Sequence, residues 1–227
     1  PDRDKQFRFI HRVKKLFLAA GRPVISVDTK KKELIGNVKN NGRVWKQSPT
    51  LVNAHDFLSE AVGRATPYGI YDLTQQQGFV YVGTSCDTPE FAAYAIAQWW
   101  TDPDRPRFAQ EDKLLILCDA GGSNNCRYWR WKIEVQKQLA DAFGIEVFVC
   151  HYPTGASKWN PIEHRLFSEI SKNWAGKPLQ TFQMMLNYIR DTTTETGLKV
   201  KAYLVEHVFE KGMKYDPQER DNLNLQR

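Results

Sequence analysis

The chain has 227 residues, 41% hydrophobic and 12% aromatic, with a formal charge of +6. At ~150 residues per domain this allows one large domain or one with appendages, and the composition excludes disordered and fibrous classes. No run reaches the ~18–20 apolar residues of a membrane helix, and an N-terminus interrupted by Arg and Lys is no signal peptide.

The charge is uneven. Residues 1–32 hold ten Lys/Arg against Asp2, Asp4 and Asp28, a net of +7, so the rest of the chain sums to −1. The four cysteines, at 86, 118, 126 and 150, show no C-x-x-C spacing, and two lie inside apolar runs. Neither a disulfide framework nor a structural zinc site is expected, and the pattern suits a reducing, intracellular compartment. The first residue is Pro1, not Met, so a domain cut from something longer is expected.

In residues 4–20, Phe7, Ile10, Val13 and Phe17 stand at helical spacing among Arg and Lys, a basic amphipathic helix. Gly21 ends it, and Pro23 opens an extended run over residues 24–28. Residues 29–65 are irregular and polar, with a turn at Asn40-Asn41-Gly42. Strands are predicted at 69–73 and 79–85 around a hairpin loop, Gln75-Gln76-Gln77-Gly78, and a helix at 88–101 behind Thr88-Pro89-Glu90.

A proline-broken loop over 102–112 leads to a fully apolar strand, 114–118, suited to the centre of a sheet. A helix over 125–143 carries two apolar rows and stops at Gly144; a buried strand follows at 145–150. Helices are predicted at 160–174 and 179–194, a last strand at 200–205, and a polar, loosely held tail from Asp216. The order gives an α/β protein, a mixed central β-sheet flanked by α-helices.

Three carboxylates stand at the ends of these elements. Asp28 ends the first apolar strand and Asp119 the strand 114–118; sites form beyond such strand ends, although turns and caps also favour Asp there. Asn160-Pro161-Ile162-Glu163 fits N-cap to N3, so Glu163 could simply complete a capping box. Its row with Phe167, Ile170 and Trp174 argues instead that the carboxylate borders the buried face, where it needs a partner or a metal. Three converging carboxylates without counter-ions suit hard divalent cations, Mg²⁺ or Mn²⁺, and an ion pair ~3.5–4 Å apart suits phosphodiester cleavage.

Three segments carry a resemblance: the run from Ser26 to Glu33, Cys118-Asp119-Ala120-Gly121-Gly122-Ser123-Asn124, and the stretch from His151 to Arg165. They resemble the catalytic core of bacterial insertion-sequence DDE transposases of the ISAzo type, over roughly Phe7 to Tyr215. The Asn-Pro-Ile-Glu element is shared with other insertion-sequence and mariner-like transposases, whereas the whole stretch from His151 to Arg165 is far more specific.

The resemblance implies a ribonuclease H-like fold with Asp28, Asp119 and Glu163 as catalytic, metal-binding residues for two Mg²⁺ (or Mn²⁺) ions. It implies cutting at element ends and joining of a 3′-hydroxyl to target DNA. Such transposases carry an upstream helix-turn-helix region, which this sequence lacks. The expected organisation is a basic entry helix and linker over 1–22, the catalytic domain over 23–215 and a polar tail over 216–227.

Around the triad, Lys30, Lys31 and Lys32 would hold DNA phosphates or merely form a solvated turn. Lys158 would contact a phosphate and Trp159 an unpaired base, with Ser157, Asn160 and Arg165 completing the candidate DNA-binding set. His151 and His164 are candidate supporting residues or plain hydrogen-bonded structural histidines. Trp99, Trp129 and Trp131 are expected in the core.

No P-loop, Rossmann or nucleophile-elbow motif is present. The expected partners are transposon-end and target DNA and further copies of the chain, in the bacterial cytoplasm on the nucleoid. Two rival readings remain at this point: a ribonuclease H-like nuclease without strand transfer, and a non-catalytic DNA-binding remnant of a truncated transposase.

Overall fold

The computed structural model describes residues 2–53, 55 and 57–226. Pro1 and Arg227, which end the predicted entry segment and tail, lie outside the described residues, as does Asp56.

Helix α1 (Arg3–Ala19) is capped by the Asp2 carboxylate, which accepts from the Lys5 amide. It stops at Gly21, whose φ of +66° is open to glycine without strain. Strands β1 (Val24–Thr29), β2 (Glu33–Ile35), β3 (Gly63–Asp72), β4 (Gln77–Gly83), β5 (Lys113–Cys118), β6 (Glu146–His151) and β7 (Lys199–Val205) follow in chain order. The main path through the sheet is β6-β5-β1-β3-β4-β7, with β2 pairing onto β3. β3 runs antiparallel to β1 and β4, while β1, β5 and β6 are mutually parallel, as are β4 and β7. The mixed sheet read from element order is therefore present.

Helices cover both faces because strand side chains alternate. Ile25, Val27, Tyr68, Ile70, Phe79, Leu114 and Ile116 face one side, where they meet Phe91, Ile96 and Trp99 of α2 (Pro89–Thr101) and Trp131 and Val135 of α3 (Trp129–Val135). On the other side, Val24, Leu115 and Leu117 pack on Ile10 and Phe17 of α1. There too, Tyr71, Val80 and Val82 pack on a rod made of π-helical Glu163–Phe167 and α4 (Ser168–Asn173), and on α5 (Phe182–Arg190). Burial of these layers is the main stabilising term.

Several boundaries differ from the sequence reading, each for a local reason. β3 starts six residues earlier and contains Pro67, a residue that argues against a strand from sequence. Pro67 is tolerated because it falls in the gap where β1 has ended at Thr29↔Tyr68 and β2 begins at Glu33↔Ala65, so no strand on that side needs the amide hydrogen it lacks; the Lys30 amide donates to its carbonyl. The hairpin turn is residues 73–76, held by the Asp72 carboxylate accepting from the Thr74 and Gln75 amides. Gln77 and Gly78 belong to β4, since a Cβ on Gly78 would lie 2.5 Å from a Leu166 methyl.

The helix expected from 125 starts at Trp129, because Gly122–Asn124 forms a separate 3₁₀ turn, and it passes through a π-helical stretch, Gln136–Asp141. Trp99 and Trp131 are core as expected; Trp129 is half-exposed under the Lys132 ammonium. β6 is not buried throughout: as the sheet's edge it leaves Glu146 and Phe148 exposed. The helix expected over 179–194 is confined to α5, capped by Thr181.

The tail is docked, not loose. Its helix α6 (Pro217–Asp221) has a capping box between Asp216 and Glu219, Glu219 pairs with Lys137, and the Asn224 amide donates to Gln136.

Candidate functional site

Asp28 lies near the end of β1, on the face covered by the Glu163 rod. The parallel register of β1 and β5 pairs Ser26 with Leu117, and two further steps bring Asp28 level with Asp119. Asp119 follows β5 in a turn where its carboxylate accepts from the Gly121 amide; Gly122 there adopts φ +58°. Both acids therefore leave the same edge of the sheet at neighbouring strand ends.

Glu163 reaches them from above. Its helix can approach because the residue paired with Asp28 across β1 and β3 is Gly69. A Cβ on Gly69 would lie 2.4 Å from the Phe167 ring and 2.9 Å from an Ile162 methyl. The close approach of rod to sheet is thus conditional on a missing side chain.

The rod's first turn is fixed by a buried relay. The Ser26 hydroxyl accepts from the Ile162 amide at 3.1 Å and donates to the Asn160 side-chain oxygen, while the Asn160 side-chain nitrogen donates to the Val27 carbonyl at 3.2 Å. Ser26 and Asn160 are fully buried. The capping box considered for Asn160 and Glu163 is absent: the cap is supplied by a serine from β1, and the Glu163 amide bonds the Asn160 carbonyl. Glu163 is left free to turn inward, where its carboxyl hydrogen-bonds Asp28. It also opens the π-helical segment, a helix variant frequent at functional sites.

Burial pushes the Asp28 carboxyl up to about 8, helped by the negative charges of Asp119 and Glu163 and opposed by the Thr29 amide, which donates to it at 2.7 Å. The largest influences on it include no Lys or Arg. An all-oxygen, anionic donor set fits a hard divalent cation. Among the described residues no three His, Cys, Asp or Glu side chains already stand at ligating distances.

The other predicted residues are placed as follows. Lys30 is nearly buried, paired with Glu33 at 3.2 Å and lying 4.8 Å over the Trp174 ring. Together with Lys31 it borders a pocket of about 240 Å³ beside Glu163, Phe167, Ser168 and Ser171. Lys31 is exposed and Lys32 half-buried. Ser157, Lys158 and Trp159 form an exposed 3₁₀ turn before the rod, with Trp159 edge-on to Phe7 of α1. Arg165 and His164 are exposed; the His164 ring meets the Lys158 carbonyl.

His151 is half-buried, its Nε2 2.9 Å from the Asn124 carbonyl, and burial holds it below the ordinary histidine value. Both histidines contact backbone rather than carboxylates.

Three contributors escaped the sequence reading. Ser26 is the relay; its signal was a lone hydroxyl in an apolar run. Tyr68, fully buried, donates to the Asn124 side chain at 2.9 Å and so ties the Asp119 turn to β3. Asp87 accepts from the Thr29 hydroxyl at 3.0 Å, next to Asp28 in the chain, and no sequence feature marked it.

The mixed sheet covered by helices on both faces has the ribonuclease H-like fold. The chain belongs to the family described as the Rhodopirellula transposase DDE domain, whose model matches residues 1–227. DDE transposases use divalent metal ions.

Among solved structures, the Mos1 strand transfer complex is similar at a TM-score of 0.53 and 13% identity, covering 82% of this chain and 51% of that one. A Mos1 transposase paired-end complex with the left transposon end gives 0.49 and 13%, over 82% and 52%. The chain thus spans about half the length of the structures it resembles. No curated protein matches it in sequence. Among the described residues no helix is long and apolar enough to cross a membrane.

Proposed function

We propose that this domain cuts phosphodiester bonds at the ends of a mobile DNA element and joins the freed 3′-hydroxyl to target DNA. Asp28, Asp119 and Glu163 would hold the divalent ions, two Mg²⁺ or Mn²⁺. When bound, these ions supply charge neutralisation at the reacting phosphate and activation of the attacking oxygen.

The chain's own part is positioning. Asp28 and Asp119 present oxygens from neighbouring strand ends, and Glu163 closes over them from a rod clipped to β1 by Ser26 and Asn160. Tyr68, Asn124 and His151 keep the Asp119 turn in place. Lys30 and Lys31, which border the pocket beside Glu163, and Lys32, Lys158 and Arg165 would be phosphate contacts, with Ser157, Asn160 and Trp159 completing the DNA-binding set. His164 holds the turn that carries Lys158. Domain limits at 22 and 215, a DNA-bound oligomer and a bacterial cytoplasmic location complete the reading.

The observation that carries it is the contact between the Glu163 and Asp28 carboxyls. A helix-capping glutamate would have folded back onto Asn160, and this one instead joins a buried acid on another element. The test is strand transfer from a pre-cut 3′ end in Mg²⁺ or Mn²⁺. Joined product supports the reading; hydrolysis without joining favours a simple nuclease, and DNA binding with neither reaction makes the domain a non-catalytic remnant.

A further inference from the structure

The connection between β2 and β3 lines a cleft of about 570 Å³, which shares no lining residue with the pocket beside Glu163 and is bordered among others by Arg43, Trp45, Lys46, Pro49 and Gly176. Trp45 is 101% exposed, whereas Trp99, Trp100, Trp131 and Trp174 are buried. A fully exposed indole gains nothing from the fold and is available to an aromatic partner.

Its surroundings are cationic. Residues 36–53 contain Lys39, Arg43 and Lys46 and no Asp or Glu. Among the described residues none of the three has a carboxylate partner; Lys46 donates only to the Thr50 hydroxyl, at 2.8 Å. Interleaved cations and an exposed aromatic match a phosphate backbone with accessible bases better than a protein face, whose centre is depleted of charge.

The loop is not a loose flap. It closes on itself where the Asn53 amide donates to the Asn37 carbonyl at 2.9 Å. It is tied to the far end of the Glu163 rod. Asn40 donates to the Trp174 and Lys177 carbonyls at 3.0 and 3.1 Å, and the Gly176 amide donates to the Asn41 carbonyl at 2.8 Å. Gly42 packs so tightly that a Cβ would lie 2.7 Å from Ala175. Trp174 in turn lies under Lys30, which borders the pocket beside Glu163. DNA held at Trp45 is therefore held in fixed relation to the carboxylates.

We propose that this loop is a second DNA-contact site, in which Trp45 stacks on an unpaired base while Arg43 and Lys46 hold the flanking phosphates. The inference rests on the reading of DNA as substrate. Strand cutting and joining expose unpaired nucleotides, the form of DNA that a free indole recognises.

The test uses the full chain and a short DNA hairpin carrying one extrahelical 2-aminopurine, with a fully paired hairpin as control. Trp45→Ala should weaken binding of the extrahelical probe about tenfold or more and relieve 2-aminopurine quenching, and Trp45→Phe should restore most of both. Paired-hairpin affinity should change about twofold at most. Arg43→Ala with Lys46→Ala should flatten the salt dependence by about two phosphate contacts.

Wild-type binding with no change in any variant overturns the loop's role and leaves the catalytic reading standing. Unchanged DNA affinity with weakened self-association in sedimentation overturns it in favour of a contact between copies. A wild-type chain that binds neither hairpin overturns both this site and the DNA reading.

Discussion

The two ends of the Glu163 rod are built in opposite ways. At its start, Ser26 and Asn160 form a dry relay, Gly69 removes a side chain from under the helix, and Glu163 is pressed against Asp28. At its finish, Asn40 and Gly176 tie the helix to an open cationic loop that ends in a solvent-facing indole. One end stores electrostatic tension in a buried place; the other offers charge to solvent without any. A single rigid element thus separates where chemistry is placed from where a polymer can be gripped.

The comparison is broken most severely by Glu163→Gln. Metal-dependent cleavage and strand transfer should fall by about a thousandfold or more, since metal charge stabilisation is worth several kcal/mol. Folding and DNA affinity should survive. Near-wild-type cleavage in a radiolabelled-end assay would falsify the role given to this carboxylate.

Gly69→Ala attacks the same end through packing. Its methyl would overlap Phe167 and Ile162, costing about 1–3 kcal/mol in urea unfolding and lowering cleavage as Glu163 is pushed from Asp28. A fully stable, fully active variant would show that the close approach is dispensable.

Asn160→Ala removes the middle of the relay and leaves the Val27 carbonyl and Ser26 hydroxyl without their buried partner. The expected loss is about 1–3 kcal/mol, with cleavage down roughly 10–100-fold, the range seen for groups that orient metal ligands. Equal loss of activity in Asn160→Asp and in Ala would point to the packing of that turn instead.

Titration sharpens the contrast further. The fold raises the Asp28 carboxyl from an ordinary 3.8 to about 8, so it favours the protonated form. In the metal-free protein this contribution is complete below about pH 4, declines as pH rises, and is gone above about pH 8. Urea midpoints in EDTA should fall across that window. Asp28→Asn should flatten the decline, and Mg²⁺ should offset it most at the alkaline end. Midpoints that rise between pH 4 and 8 by the same amount in wild type and Asp28→Asn would contradict the burial of this acid.

The smallest effect on cleavage is expected at the far end. Gly42→Ala adds a methyl 2.7 Å from Ala175 and 2.9 Å from the Gly176 backbone at φ +109° and should cost about 1–3 kcal/mol, without altering the Asp28-dependent slope of stability with pH. A changed slope would mean that the two ends are coupled.

Much was legible without coordinates. The apolar run before Asp28, the apolar run before Asp119 and the helical row behind Glu163 gave the strand ends, the helix and the face on which the acids sit. Gly144 and Thr88 behaved as their turn and cap chemistry requires. What stayed hidden depended on neighbours distant in sequence. Pro67 reads as a strand breaker unless one knows that β1 has ended and β2 has not yet begun beside it. Asn160-Pro161-Ile162-Glu163 spells a capping box unless Ser26, 134 positions away from Asn160, occupies the cap.

By itself, then, the sequence determined an α/β domain with three carboxylates at element ends and a charge gathered at one terminus, because these follow from periodicity, turn chemistry and counting. Tertiary structure alone decided that Glu163 faces Asp28 rather than its own helix end, that Lys30 is spent on Glu33 and Trp174, and that Trp45 stands in solvent. The reason is physical. Local propensity limits which conformations a segment can adopt, whereas the partner of a buried polar group is chosen by whichever chain segment packs against it.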